Sequence, residues 1–242
     1  MKLKIFLLSC LSFIIFNFSF IIGTVRYVSP TGSSTPPYTT WETAADSIME
    51  CINISVFGDT IYVANGTYKE QVVMIPGLSL IGAGMDSCVI DTRELVQPSD
   101  FFSIRMVDTC FVKGFQIIVA PDDYNHGTGF LHMGLSGKFE ENQVINGAIG
   151  ALVLNSNIIV SQNIFKTNLL TSIEILGYGT QYIPIIENNN IYTSAYAILI
   201  NFGTKPTIRN NIIYLDGNFA FGYRGGGSDT ARIYSNLIIS KN

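Results

Sequence analysis

Charge is scarce in this chain. Asp, Glu, Lys and Arg make up only 13% of its residues, while 48% are hydrophobic. That balance excludes disorder, which needs the opposite composition, and it fits buried strand surface better than a bundle of charged helices. Basic residues are the scarcer sign, 14 against 18 acidic, for a net charge of −4. No basic cluster stands out, which argues against nucleic acid as a partner. Cysteine is also rare. Cys10 falls in an apolar leader, leaving Cys51, Cys88 and Cys110. An odd count fits no simple disulfide framework, and the spacings suit no zinc site. Their neighbourhoods ("MECINI", "DSCVI", "DTCFV") are apolar, so they read as buried thiols.

Long apolar runs are missing except at the start. "MKLK" is followed by "IFLLSCLSFIIFNFSFII". A short basic start before an apolar run reads as a secretory signal peptide, residues 1–23, with cleavage near Gly23 or Thr24. The site carries no A-x-A triplet, so an uncleaved membrane anchor is the alternative. A lipoprotein reading at Cys10 fails because the apolar run continues past it. The expected location is secreted or cell surface.

What the chain has in excess is one repeated oddity, asparagine inside apolar runs. The pattern apolar-x-x-Asn-x-apolar holds at Phe139–Asn142–Val144, Val160–Asn163–Phe165, Ile186–Asn189–Ile191, Ile208–Asn211–Ile213 and Ile233–Asn236–Ile238. The asparagines are 21, 26, 22 and 25 residues apart, and Val112–Phe115–Ile117 is an earlier copy with Phe in the Asn column. Periods in the twenties signal stacked repeats. Between the anchors lie short apolar runs ("ALVL", "SIEIL", "AYAILI", "FAFGY") bounded by Gly, Asn, Ser or Thr. None has helical length or period. Several short strands per repeat describe a parallel β-solenoid, its coils about 4.8 Å apart. Equivalent asparagines then lie above one another. A lone buried amide costs about 1–3 kcal/mol when unsatisfied, but stacked amides satisfy each other. Asn142, Asn163, Asn189, Asn211 and Asn236 are therefore read as a structural ladder. Asn also tolerates the left-handed backbone that a sharp corner needs.

Trp41, Ala44, Ala45, Ile48, Met49 and Ile52 recur at helical spacing. Thr39 as N-cap and Glu42 three residues on predict a capping box. Such a helix would cover the open end of the first coil. The predicted domains are thus the leader, a 24–57 strand and capping helix, and a 58–242 solenoid of about eight coils. No capping element follows "RIYSNLIISKN", so the solenoid is expected to be truncated at that end.

The segment from Gly58 to Tyr68 ("GDTIYVANGTY"), then Glu70, then "LSLIGAG" at 78–84, resembles the opening coils of the pectin-lyase-like superfamily. "YVSPTG" at 27–32 resembles its N-terminal caps. The resemblance spans residues 26–242 and implies an all-β, right-handed parallel β-helix. It says less about activity, because that superfamily includes lyases, hydrolases, isomerases, phage tailspikes and adhesins. Its members commonly act on or bind polysaccharide, with sites on the exposed face of one strand column.

On that face, inward Ile173 and Ile175 would turn Glu174 outward. Inward Phe221 and Tyr223 would turn Arg224 outward, and His132 in "FLHMG" would share the face. An exposed Glu, Arg and His suit acid–base work or sugar binding, and these three are the candidate catalytic residues. Asp122, Asp123 and His126 in "PDDYNHG" are candidate substrate contacts, although adjacent acids in a loop diverge and also serve as turn residues. No metal-ligand cluster stands out. The cofactor expectation is none, with Ca²⁺ conceivable in that loop. Two functions stay open. One is a β-helix that binds or scaffolds on polysaccharide or another extended ligand. The other is a polysaccharide lyase or glycoside hydrolase, with its site on the Glu174 face or past Asn242.

Overall fold

A computed structural model describes residues 23–95, 101–119, 127–178, 181–193, 195–216, 219–225 and 230–240. Residues 1–22 of the predicted leader, Cys10 among them, and the loop residues Asp122, Asp123 and His126 lie outside them.

Three parallel sheets run the length of the molecule, with nine, eight and seven strands. Each coil contributes one strand to each sheet in turn. The first full coil is Thr60–Val63, Gly66–Tyr68 and Val72–Val73. Seven coils are complete, and Arg232–Tyr234 and Leu237–Ser240 open an eighth. The fold is the expected all-β parallel solenoid, with slightly fewer complete coils than the roughly eight expected.

Period-two alternation sends one apolar column inward from each strand. In the first sheet it is Ile61, Leu80, Val112, Phe139, Val160, Ile186 and Ile208. In the second it is Tyr68, Ile90, Ile117, Val144, Phe165, Ile191 and Ile213. All of these are buried and form one core along the axis. The repeated motif is thus a first-sheet core residue, a corner asparagine and a second-sheet core residue.

The ladder is present. The Oδ1 atoms of Asn163, Asn189, Asn211 and Asn236 accept the backbone N–H of Asn142, Asn163, Asn189 and Asn211 at 2.9–3.0 Å. The Nδ2 groups of Asn163, Asn189, Asn211 and Asn236 donate back to the carbonyls of Phe139, Val160, Ile186 and Ile208 at 2.9–3.0 Å. Phe115 N–H donates to Asn142 Oδ1 at 3.0 Å, so the Phe of the earlier copy closes the column.

One detail differs from expectation. The left-handed residue at each corner precedes the ladder asparagine: Glu141, Gln162, Asn188, Asn210 and Ser235, with φ of 51–59°. Gly114 (φ 81°) does the same before Phe115. The αL residue makes the bend and faces out, and the asparagine after it turns inward to bridge coils.

The N-terminal cap also departs from prediction. The helix is short, Ile48–Asn53, and its N-cap is Ser47, not Thr39. Residues 38–45 are held by the first strand instead: Tyr27 N–H donates to Tyr38 O, Ala45 N–H to Tyr27 O and Ser29 N–H to Ala45 O, at 2.8–3.0 Å. Those bonds remove the backbone groups that a longer helix would use. Trp41 is consequently half exposed, and its ring packs on Tyr27. The helix still covers the end of the core with Ile48, Cys51 and Ile52. Glu70, from the first coil, accepts from Ile48 N–H, Met49 N–H and the Ser47 hydroxyl, each at 2.8 Å. The superfamily-like Glu70 is thereby a helix cap supplied from another element.

Candidate functional site

The seven-stranded third sheet carries the candidate residues. Ile173 and Ile175 are fully buried, so Glu174 between them faces out of the solenoid. Register aligns Leu152, Glu174, Leu199 and Gly222 in one outward column, and Leu154, Leu176, Asn201 and Arg224 in the next. Glu174 and Arg224 therefore share a face, two coils apart. They bound a cleft of about 190 Å³ whose other walls are Ile149, Leu170, Thr171, Ala195, Tyr196 and Leu199.

Burial raises the Glu174 carboxyl above the ordinary range, while the Arg224 charge and an Asn201 hydrogen bond pull the other way. Asn201 Nδ2 donates to Glu174 Oε1 at 2.5 Å, leaving Oε2 without a partner among the described residues. The Arg224 guanidinium sits 5.8 Å from the centre of the Tyr196 ring. No described residue forms a hydrogen bond or ion pair with that guanidinium. Tyr196 in turn stacks on Phe219, centroids 5.1 Å apart. A donor-only cation and an acceptor carboxylate thus flank a mostly aliphatic hollow.

His132 does not join them. Its neighbour Leu131 lies in the Glu174 column, so the next residue turns inward, between Met106 and Val153. His132 is fully buried. Its Nε2 lies 3.1 Å from the Ser136 carbonyl oxygen, and Nδ1 has no partner. Desolvation holds its pKa below the usual value of 6.5. The expected shared face is corrected by one residue of register. Asn201, Tyr196 and Leu199 were not singled out in the sequence, although each sits in the "YAILIN" run.

Among the described residues, no three His, Cys, Asp or Glu side chains come together as a metal site, and no helix is long and apolar enough to cross a membrane. Cys51, Cys88 and Cys110 are buried free thiols. Desolvation pushes Cys51 and Cys88 up to about 12.

No family model and no curated protein matches the sequence. Solved structures do match in shape. A rhamnogalacturonan lyase structure aligns with a TM-score of 0.58 and 17% identity, over 91% of this chain and 63% of its own. A pectin methylesterase from carrot aligns with a TM-score of 0.51 and 12% identity, over 93% and 90%. At these identities the likeness is one of architecture. The chain has a right-handed parallel β-helix fold, the architecture expected from its sequence.

Proposed function

We propose that this protein is a secreted or cell-surface β-helix that binds polysaccharide along the outer face of its third sheet. The observation that carries this reading is the Arg224 guanidinium, with no hydrogen-bond or ion-pair partner among the described residues, across an aliphatic cleft from Glu174. Sugar hydroxyls both donate and accept, and their ring C–H faces are apolar. They match a cleft with a cation on one side, a carboxylate on the other and aliphatic walls between. The regular coil spacing repeats this face along the axis, which suits an extended ligand better than a compact one. That solved structures of like shape include a rhamnogalacturonan lyase and a pectin methylesterase adds weight by analogy of fold.

A lyase or hydrolase is the second reading, and the upward shift that burial gives the Glu174 carboxyl favours it, since raising a carboxyl's pKa makes it a better-matched proton donor. Paired-acid glycoside hydrolysis would need a second carboxyl about 5–9.5 Å away. Glu174 is the one acid lining the cleft among the described residues.

A panel of soluble polysaccharides, run with and without EDTA, tests both readings. Retention without new reducing ends or unsaturated products is the expected result, and Arg224→Ala should weaken it at least tenfold. Turnover would replace binding with catalysis. Unchanged retention in Arg224→Ala would remove this cleft from the function.

A further inference from the structure

We infer that the Glu174–Arg224 cleft takes a neutral pyranose bearing a methyl-containing substituent, either a 6-deoxy carbon or an acetyl group, and disfavours a uronate. This rests on the sugar-binding reading above.

The argument begins with charge. A uronate would find one cation, Arg224, but would also set its carboxylate against Glu174 in a partly desolvated cleft. Two carboxylates that close repel, or one must take up a proton. Asn201 does not relieve this, because a neutral amide bonded to Glu174 Oε1 leaves the carboxylate its charge. A hydroxyl has no such conflict. It can donate to the open Oε2 of Glu174 while a neighbouring hydroxyl accepts from Arg224.

The walls supply the second half. Ile149, Leu170, Ala195 and Leu199 are aliphatic, and the Tyr196 ring is stacked on Phe219. A methyl removed from water there is worth about 0.8 kcal/mol, close to fourfold in affinity. A bare hydroxyl in the same place would lose its water partners without replacing them.

Ligand-observed NMR titration decides it, with four probes: methyl β-D-fucopyranoside, methyl N-acetyl-β-D-glucosaminide, methyl β-D-galactopyranoside and methyl β-D-galacturonide. The fucoside or the N-acetylglucosaminide should bind about fourfold tighter than the galactoside, with the galacturonide weakest, and whichever of the two leads identifies the substituent. Leu170→Ser, a half-buried wall position, should erase the methyl preference, and Glu174→Gln should raise galacturonide affinity. Circular dichroism confirms that both variants fold. If the galacturonide binds tightest and Arg224→Ala abolishes it, the neutral-ring inference is overturned while sugar binding stands. Equal affinity for fucoside, N-acetylglucosaminide and galactoside overturns the methyl-substituent half. No binding by any of the four overturns both the inference and the reading beneath it.

Discussion

Replacing Asn189 by leucine tests the ladder at its centre. The wild-type side chain makes four bonds. Oδ1 accepts from Asn163 N–H at 2.9 Å and from Asn163 Nδ2 at 3.1 Å, and Nδ2 donates to Val160 O at 2.9 Å and to Asn211 Oδ1 at 3.0 Å. Some partners retain another bond after the change. Asn163 Nδ2 still reaches Phe139 O, and Asn211 Oδ1 still accepts Asn189 N–H. One group is left bare in the core, the Asn163 N–H, whereas the Val160 carbonyl also lies within the parallel ladder between Ile159–Ser161 and Ile185–Glu187. The bare N–H costs about 1–3 kcal/mol and the three other lost bonds about 0.5–1.5 kcal/mol each, roughly 2.5–7.5 kcal/mol together. Burying leucine returns about 1.5–3 kcal/mol at most, less whatever misfit it causes. The net expectation is a destabilisation of about 2–3 kcal/mol. Urea unfolding followed by far-UV circular dichroism measures it, with Asn236→Leu as the control. Asn236 is only half buried, so its replacement should cost clearly less. A shift below about 0.5 kcal/mol for Asn189→Leu, or equal shifts for both variants, would refute the satisfaction argument.

Glu70→Ala should strip the helix Ile48–Asn53 of its external cap and lower stability by about 1–2 kcal/mol, read as a drop in Tm, while Glu70→Gln should recover part of the loss. His132 binds its proton less readily in the folded chain than in the unfolded one. Its contribution is therefore full above the unfolded pKa near 6.5 and is lost as pH falls toward the depressed folded value. A Tm series from pH 7.5 to 5 should decline less steeply in His132→Met, and an identical slope would contradict the buried-neutral assignment. Cys51, Cys88 and Cys110 should resist a thiol reagent in the native protein and react fully in urea.

The solenoid was legible because the ladder imposes the same demand at every corner. A buried amide between two apolar residues is costly alone, so its recurrence at 21–26 residues signals stacking. The outward placement of Glu174 followed from Ile173 and Ile175 by simple alternation. His132 was misplaced because the corner into the third sheet varies in length. Residues of one outward column stand 10 (Leu152), 11 (Glu174), 10 (Leu199) and 11 (Gly222) positions after their ladder asparagines. One residue of difference reverses which side chains face the core, and no turn residue announces it. The helix was overextended for another reason. Its apolar spacing at 41–45 was real, but pairing to the first strand claimed the backbone there. The Asn201–Glu174 contact joins residues 27 apart in sequence, so it appears only when coils are stacked.

The ladder also has a genetic consequence. Each asparagine gives its backbone N–H to the amide oxygen of the following coil and its side-chain N–H to a carbonyl of the preceding one. Every rung from Asn163 to Asn211 presents the same faces above and below, so its neighbours could mate directly if it were removed. Loss of a single residue within a strand would instead turn that strand's side chains inside out. The chain is built to lengthen or shorten by whole coils, and natural length variants of such a protein should differ in steps of twenty-odd residues.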